Sequence, residues 1–590
     1  MANPSSSLVD RVVETDLLII GSEGAGARAA IEAADRGITV LVVTKGYAGK
    51  SGATLTAGAD IDVDSRSLVE LFDLPGDVRD TPETFMEDML VEGEYINDQR
   101  LVAIHAEEAS ARVKDLVDWG LKVDEMHHAP GHRYPRGLWV EGTEFPRVLV
   151  AQMKKRKIDF LEHFMMTDVV VSDGQAAGVV GVCLATGEVL FIRANAVILC
   201  TGGAMRVYSL ITAPDEITGD GMAAAYRAGA ELQDMEFAMF LPYCMIHPAA
   251  VTGNYFPYMM SYMLDSHALN RQGQRYMAKW DPERMEESTR DINCIAAAAE
   301  VTEGRGSPHG GTYLSFKHLP DNLIDFSSKW FPPCNADWKE GGFDMRDYMP
   351  DPTKEAIETG PCAHFWNGGI RINERCETNI PGLYAAGEGT ASIHGANRIS
   401  GNALTMTQVW GPRAGRFASE YVSKNKAPEP GKDEIERLAE KMLGPLERSD
   451  GPTPVELRKE IQHQADGNVW VVRKGELLEN ALERIGPMRG EDIPNQATRT
   501  KERVYNRDWM MALENENMVD ILEMLARASL MRTESRGSLY RYDFPQKDNV
   551  DWLKNIRLRN VDGEMTATLF DADLAHRTPE KEIVAYGRKR

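Results

Sequence analysis

The chain has 590 residues, with 66 Lys and Arg against 90 Asp and Glu, for a formal net charge of −24. So acidic a surface argues against sequence-independent nucleic-acid binding, which needs clustered cations, and against docking on an anionic membrane face. With 43% hydrophobic and 26% charged residues the composition supports sizeable buried cores, over a length suited to roughly three to five structural units.

The opening MANPSSSLVDRVVETD lacks the charged-then-apolar build of a signal peptide, and no stretch approaches the ~20 apolar residues that span a bilayer. The expectation is a cytoplasmic chain with no direct membrane span. Residues 16–44 then read as a βαβ unit. Asp16 to Ile20 is an apolar run suited to a buried parallel strand, Gly21-Ser22-Glu23-Gly24-Ala25-Gly26 is a glycine-rich turn, and ARAAIEAADRG is a helix capped at Gly37. A second strand, Ile38 to Val43, ends at Thr44-Lys45. A strand, a glycine turn and a helix start together bind pyrophosphate, because free backbone N–H groups and the helix dipole face the anion. The turn departs from GxGxxG, since Glu23 takes the second glycine position.

Next, His127, His128 and His132 share the loop HHAPGHRYPRG with Arg133 and Arg136. Loop histidines can bind a transition metal, but this spacing matches no standard zinc site, so a polar loop near a site mouth is expected and no metal ligand is assigned. Ala194 to Cys200 is another buried strand, running into Thr201-Gly202-Gly203, and Thr218-Gly219-Asp220-Gly221 opens an Ala-rich helix. Asn379 to Glu388 gives a turn, a short strand and a Gly387-Glu388 pair, which suits backbone passing close to a cofactor. These distant segments favour FAD over NAD. After residue 425, charged runs with apolar i, i+3, i+4 spacing predict a helical bundle, and the closing RTPEKEIVAYGRKR reads as a mobile tail. Seven scattered cysteines (Cys183, Cys200, Cys244, Cys294, Cys334, Cys362, Cys376) form no CxxC pair, so this chain shows no iron–sulfur ligand set of its own.

Ten motifs in order resemble the flavoprotein subunit of the fumarate reductase and succinate dehydrogenase family: GSEGAG, VVTKG, CTGGAMRVY, ITGDGMAAAYRAGAELQDMEF, NRQGQRYM, STRD, AHFWNGGI, GLYAAGE, GANRISGNAL and MRTESRGSLYRYDFP. The resemblance covers about residues 14–555, and the family extends to L-aspartate oxidase and, more distantly, adenylylsulfate reductase. It implies an α/β fold, with a Rossmann-like FAD-binding domain in two stretches, 1–236 and 351–425. An α+β capping domain is inserted at 237–350, and a C-terminal helical domain with its tail fills 426–590. The implied FAD contacts are Gly21, Glu23, Gly24, Ala25, Gly26, Thr44, Lys45, Ser51, Gly52, Thr201, Gly202, Gly203, Asp220, Gly369, Glu388 and Asn402. Members with covalent flavin use a His after a Ser just past the second strand; here Ser51 is followed by Gly52, so non-covalent FAD is expected.

Reducing an activated C=C bond needs a hydride from the flavin, a group that stabilises the developing enolate, and an acid for the other carbon. By resemblance Arg290 is the proton-donating arginine, His364 binds a substrate carboxylate and Arg398 clamps it with a planar fork. An arginine acid needs a relay, because its pKa lies far above neutrality. Three positions depart from the family pattern. The usual His-Pro-Thr is Leu241-Pro242-Tyr243, a possible relay carboxylate is the amide of Gln274, and Glu144 follows Gly142-Thr143 where a His is common. His247 is an imperfect substitute or an ordinary loop histidine. Leu241, Tyr243, Gln274, His364 and Arg398 are therefore the expected substrate contacts, for a small organic anion longer, more apolar or more aromatic than a C4 dicarboxylate. A separate iron–sulfur subunit is implied as the electron partner. An adenylylsulfate-reductase-like flavoprotein, an L-aspartate oxidase and a non-catalytic electron-transfer subunit remain open alternatives.

Overall fold

The computed structural model describes residues 7–57, 59–123, 126–140, 142–320 and 355–587. Cys334 and the later half of the expected capping domain lie outside the described residues. The strand Arg11–Ile20 runs parallel to Val40–Val43 on one side and to Val189–Leu199 on the other, with Leu17 opposite both Val40 and Ala196. Asp159–Leu161 and Leu383–Ala385 extend the parallel set, and an antiparallel ribbon, Phe164–Ser172 with Gln175–Cys183, completes a seven-stranded sheet. Leu17, Leu18 and Ile19 are consecutive and fully buried, which requires both faces of the sheet to be covered.

The helix Gly24–Asp35 packs on the helix Asn402–Val422 through glycine. A Cβ on Gly411 or Gly415 would stand 2.5 and 2.3 Å from the carbonyl oxygens of Ala25 and Ala29. That close approach holds the start of the later helix against the first glycine turn, where Gly24 meets Thr407. Segments some 380 residues apart thus share one end of the sheet.

The inserted layer is a four-stranded antiparallel sheet in the order Ala238–Met245, Ile357–Trp366, Thr312–Ser315, His267–Leu269, with the helix Arg290–Thr302 against it. Ile357–Trp366, expected within the second flavin-domain stretch, pairs with both Ala238–Met245 and Thr312–Ser315 in this sheet. The C-terminal part begins as the expected bundle, Lys432–Glu447, Pro454–Asn468, Gly475–Pro487 and Arg507–Met531. It is not helical throughout. Lys554–Val561 pairs with Leu232–Gln233 and with Glu564–Asp571, across an Asp562-Gly563 turn in which both residues have positive φ. Nor is the closing segment a free tail: Ile583–Ala585 pairs with Gln546–Asp548, and Tyr586 is buried. Among the described residues no helix is long and apolar enough to cross a membrane.

Candidate active site

One elongated cavity runs from the first glycine turn to the inserted layer. At the turn, Gly21 has φ +106°, and a Cβ on Gly26 would fall 1.9 Å from the Gly21 carbonyl oxygen. The helix therefore starts directly on the strand end, and Glu23 at its N-cap makes no side-chain cap, leaving the first N–H groups to the cavity. Ser22 Oγ is buried there without a hydrogen-bond partner, which fits a site built for a polar ligand. Lys45, from the second strand end, bonds Thr218 Oγ1 at 3.2 Å, Asp220 at 2.9 Å and Glu514 at 2.5 Å. Burial disfavours its charge, but Asp220 and Glu514 outweigh that and raise its pKa. Glu388 accepts from the Trp366 N–H at 3.1 Å, and burial pushes it up to about 7.

Glu23 turns away from the helix and accepts from the Gly49 N–H at 3.1 Å, while Glu216 accepts from the Gly52 N–H. Burial, with a further contribution from Glu216, pushes Glu23 up to about 8. A value of about 8 leaves it mostly neutral at pH 7 and ionised above pH 8, beside the glycine turn expected to hold pyrophosphate. FAD affinity of the apoprotein is accordingly expected to fall as pH rises through about 8, by up to about tenfold per unit, and to be flat in Glu23→Gln. Flavin fluorescence titrations from pH 6 to 10 check this; a flat wild-type profile refutes it.

At the far end, three cationic or polar side chains converge. Arg290 is the first residue of the helix Arg290–Thr302, 6% exposed, and its guanidinium makes no ion pair among the described residues. Arg398 stacks on the Phe365 ring at 4.5 Å and donates to the Ile399 carbonyl at 3.1 Å, while its Nε has no partner. Burial, then the nearby Arg290 charge, lowers Arg398 to about 9. His364 lies on the strand Ile357–Trp366, with Nδ1 2.7 Å from Thr212 Oγ1 and Nε2 3.4 Å from Arg398 Nη2. Burial, Arg398 and Arg290 hold it well below the ordinary imidazole value. A buried guanidinium whose charge is disfavoured by burial and by a second guanidinium is an arrangement that suits an anionic ligand. Leu241, Tyr255 and Met259 line the same cavity.

Most expected residues meet in this cavity. Gly21, Glu23, Gly24, Ala25, Thr44, Lys45, Ser51, Gly52, Thr201, Gly202, Asp220 and Glu388 line one end, and Leu241, Arg290, His364 and Arg398 the other. Gly26, Gly203 and Gly369 stand behind the wall as close-packing glycines, with Gly203 against Glu388 and Gly369 against the Gly389 carbonyl. Asn402 is not a cavity contact: its neighbours Gly401 and Ala403 are, while its Oδ1 meets His105 Nε2 at 3.2 Å. Tyr243 does not reach the cavity either. A register shift between Leu241 and Cys244 turns it inward, where its hydroxyl donates to Asn293 at 2.7 Å. Gln274 is exposed and accepts from Asn270 at 3.1 Å, away from Arg290. The buried acids that feel the Arg290 charge are Asp62 and Glu92, neither marked by any motif; Glu92 is pushed up to about 8, chiefly by burial.

The histidine loop packs behind the cavity wall. His127 meets Asp60 at 2.6 Å, His132 meets the Ser400 carbonyl at 3.1 Å and His128 the His132 carbonyl at 2.9 Å, so each faces its own partner. His247 is exposed and stacks on His309, outside the cavity. Thr212, Tyr255 and Met259 were missed because they sit in loops or short helices with no recurring pattern; only the fold brings them to the wall.

Residues 16–404 match a family model described as FAD binding domain, and residues 458–579 one described as fumarate reductase flavoprotein C-term. The chain is 34% identical over 565 residues to a fumarate reductase (CoM/CoB) subunit of Methanothermobacter marburgensis, covering 92% of this chain and 97% of that one. Among solved structures, the Mycobacterium smegmatis Sdh1 complex in the apo form is similar at TM-score 0.84 and 30% identity, over 96% of both chains. Adenylylsulfate reductase from Archaeoglobus fulgidus shares the fold at TM-score 0.75 and 18% identity, over 99% of this chain and 100% of that one.

Proposed function

The chain belongs to the FAD-dependent fumarate reductase and succinate dehydrogenase flavoprotein family, and from that premise we propose that its substrate is an enoate or saturated acid with one carboxylate and an apolar remainder. It is an FAD-dependent oxidoreductase acting on CH–CH groups. FAD, when bound, supplies the two-electron chemistry; Gly52 stands at the cavity wall without a histidine to link it, in keeping with non-covalent binding. The observation that carries the substrate reading is the make-up of the cavity: Arg290, His364 and Arg398 line it together with the apolar Leu241 and Met259. One carboxylate pairs with Arg398 and His364, whereas a second, against Leu241 and Met259, would be desolvated.

The chain's residues divide the work. Arg398 and His364 hold the carboxylate and take up charge that develops on it, and Arg290 holds a proton for the carbon away from it. The Thr212 hydroxyl donates to the Ala363 carbonyl at 3.4 Å and so accepts from His364 Nδ1–H, leaving Nε2 with a lone pair. A carboxylate seated at Nε2 favours protonation there, so binding should take up protons, with affinity rising as pH falls toward the depressed free-state value of His364, by up to about tenfold per unit. Calorimetry with a saturated carboxylate in buffers of different ionisation enthalpy measures this; binding with no proton uptake refutes the assignment. The electron partner we propose is a separate iron–sulfur subunit, supported by the similar Mycobacterium smegmatis protein's occurrence in a complex.

The substrate reading is tested anaerobically. The protein is reduced with dithionite, and flavin absorbance is followed on adding fumarate or apolar or aromatic mono-enoates; sulfite with AMP, which would donate electrons, is added separately to the oxidised protein. The expected result is reoxidation by a mono-enoate at least about tenfold faster than by fumarate, the scale of one unmatched buried charge or more. Fumarate reacting as fast or faster overturns the single-carboxylate assignment, and a response to sulfite with AMP alone would place the chain with the adenylylsulfate reductases in activity.

A further inference from the structure

The closing segment of the chain crosses from the flavin domain to the helix that carries Arg290. Gln99 Oε1 accepts from the backbone N–H groups of His576 and Arg577, both at 2.7 Å, and Gln99 Nε2 donates to the Arg577 carbonyl at 2.7 Å. The Arg577 guanidinium reaches Glu83 at 3.1 Å, a residue of the flavin-domain helix Pro82–Glu92. The chain then runs as a strand, Ile583–Ala585, along Gln546–Asp548, and the Tyr586 N–H donates to the Pro545 carbonyl at 3.0 Å. At its end Tyr586 is buried and its hydroxyl donates to Asp291 Oδ2 at 2.5 Å. Gly587 lies against Ile292 and Trp280, on the same inserted layer.

Asp291 directly follows Arg290 in the first turn of the helix Arg290–Thr302. Successive helical residues leave the axis on different faces, so Asp291 can point to the closing strap while Arg290 points to the cavity. The arrangement is a competition. A buried carboxylate attracts any cation in reach; Thr289, Tyr586 and the Ile292 N–H favour the charged form of Asp291, yet its Oδ1 is left without a hydrogen-bond partner. Arg290 is the adjacent cation, its side chain is long, and it has no ion pair of its own among the described residues. The Tyr586 hydroxyl is the donor that reaches Asp291 from the strap.

We propose that Tyr586 is a positioning residue for Arg290: by engaging Asp291 it stops that carboxylate from capturing the guanidinium, and so keeps the proton-donating arginine directed into the cavity. The importance for turnover rests on the reading of Arg290 given above; the positioning itself does not.

The test uses the FAD-loaded full chain as wild type, Tyr586→Phe, Asp291→Asn and the double variant. Modification of Arg290 by butanedione, followed by peptide mass spectrometry, reports whether the guanidinium is available. Tyr586→Phe should slow Arg290 modification and enoate-driven flavin reoxidation, each about tenfold, the scale of one hydrogen bond to a charged group. With Asp291→Asn present, Tyr586→Phe should change neither rate, because the carboxylate that Tyr586 engages is gone. A strap that merely stabilises the fold would show no such rescue, and equal losses in both backgrounds would overturn the proposal, as would unchanged Arg290 modification in Tyr586→Phe. Should Asp291→Asn fail to fold, Asp291→Ser, which also suits a helix start, replaces it. If no enoate reoxidises the wild type, the substrate reading fails while the modification rates still decide the strap.

Discussion

Arg290→Gln is expected to slow reoxidation of the reduced protein by an enoate by about 10²–10⁴-fold, the usual yield of a positioned acid, while carboxylate affinity falls by less than about tenfold. The asymmetry follows from the geometry. Arg398, stacked on Phe365 and bonded to the Ile399 carbonyl, together with His364, fixed through Thr212, remains to hold the carboxylate. Arg290 enters from another element, the inserted helix, and is the group free to serve the carbon away from that anchor. Stopped-flow reoxidation gives the rate and a saturated carboxylate titrated against the oxidised flavin gives the affinity. A matched loss in both would make Arg290 a binding group and send the search for the acid to the buried carboxyls Asp62 and Glu92. Arg398→Met should do the reverse, with most of its loss in affinity, because it removes the planar fork that a carboxylate pairs with.

Much of this site was legible before any fold was known, for a specific reason. The glycine turns and the Arg290, His364 and Arg398 motifs are local in sequence, since each must set a backbone path or place one side chain. What the sequence did not reveal depends on how strands pair. Tyr243 stands two residues from Leu241, and simple alternation would place both on one face; the irregular register there sends Tyr243 to Asn293 instead. Gln274 sits in a recognised motif yet faces Asn270, because the motif belongs to a turn on the outer side of the inserted layer. Ile357–Trp366 carries His364 and was read by that motif alone, and the motif could not show that its hydrogen bonds join it to Ala238–Met245. The closing segment was read as loose because it is short and polar. Its order comes from Gln99, Gln546–Asp548 and Asp291, partners hundreds of residues away or in another layer, which composition cannot show.

Glu534→Gln should be the most destabilising single change in the C-terminal part, at about 3–5 kcal/mol, the usual consequence of breaking a fully buried ion pair from one side. Glu534 accepts from Arg532 at 2.9 Å, from Arg536 at 2.7 and 2.9 Å and from the Asp548 N–H at 2.8 Å. Arg532 also donates to Glu236 at 2.8 Å, so two acids balance two guanidiniums, and all four side chains are fully buried. An amide of the same shape removes one negative charge and turns an N–H pair toward the arginine donors, leaving a net positive charge that no water reaches. By contrast Glu434→Gln, which breaks the exposed pair with Arg437, should cost under about 1 kcal/mol. Glu236 leads directly into Phe237 and the first strand of the inserted layer, and Arg532 lies over the Phe237 ring at 5.1 Å. Loss of the network should therefore loosen the layer that carries Leu241 and Arg290 before the parallel sheet opens. In urea titrations this predicts that Glu534→Gln releases FAD and loses carboxylate binding at lower urea than wild type, with carboxylate binding lost first. Coincident loss of both signals would mean that the inserted layer and the flavin domain unfold as one unit, and a midpoint equal to that of Glu434→Gln would mean that the buried charges are not balanced as their hydrogen bonds indicate.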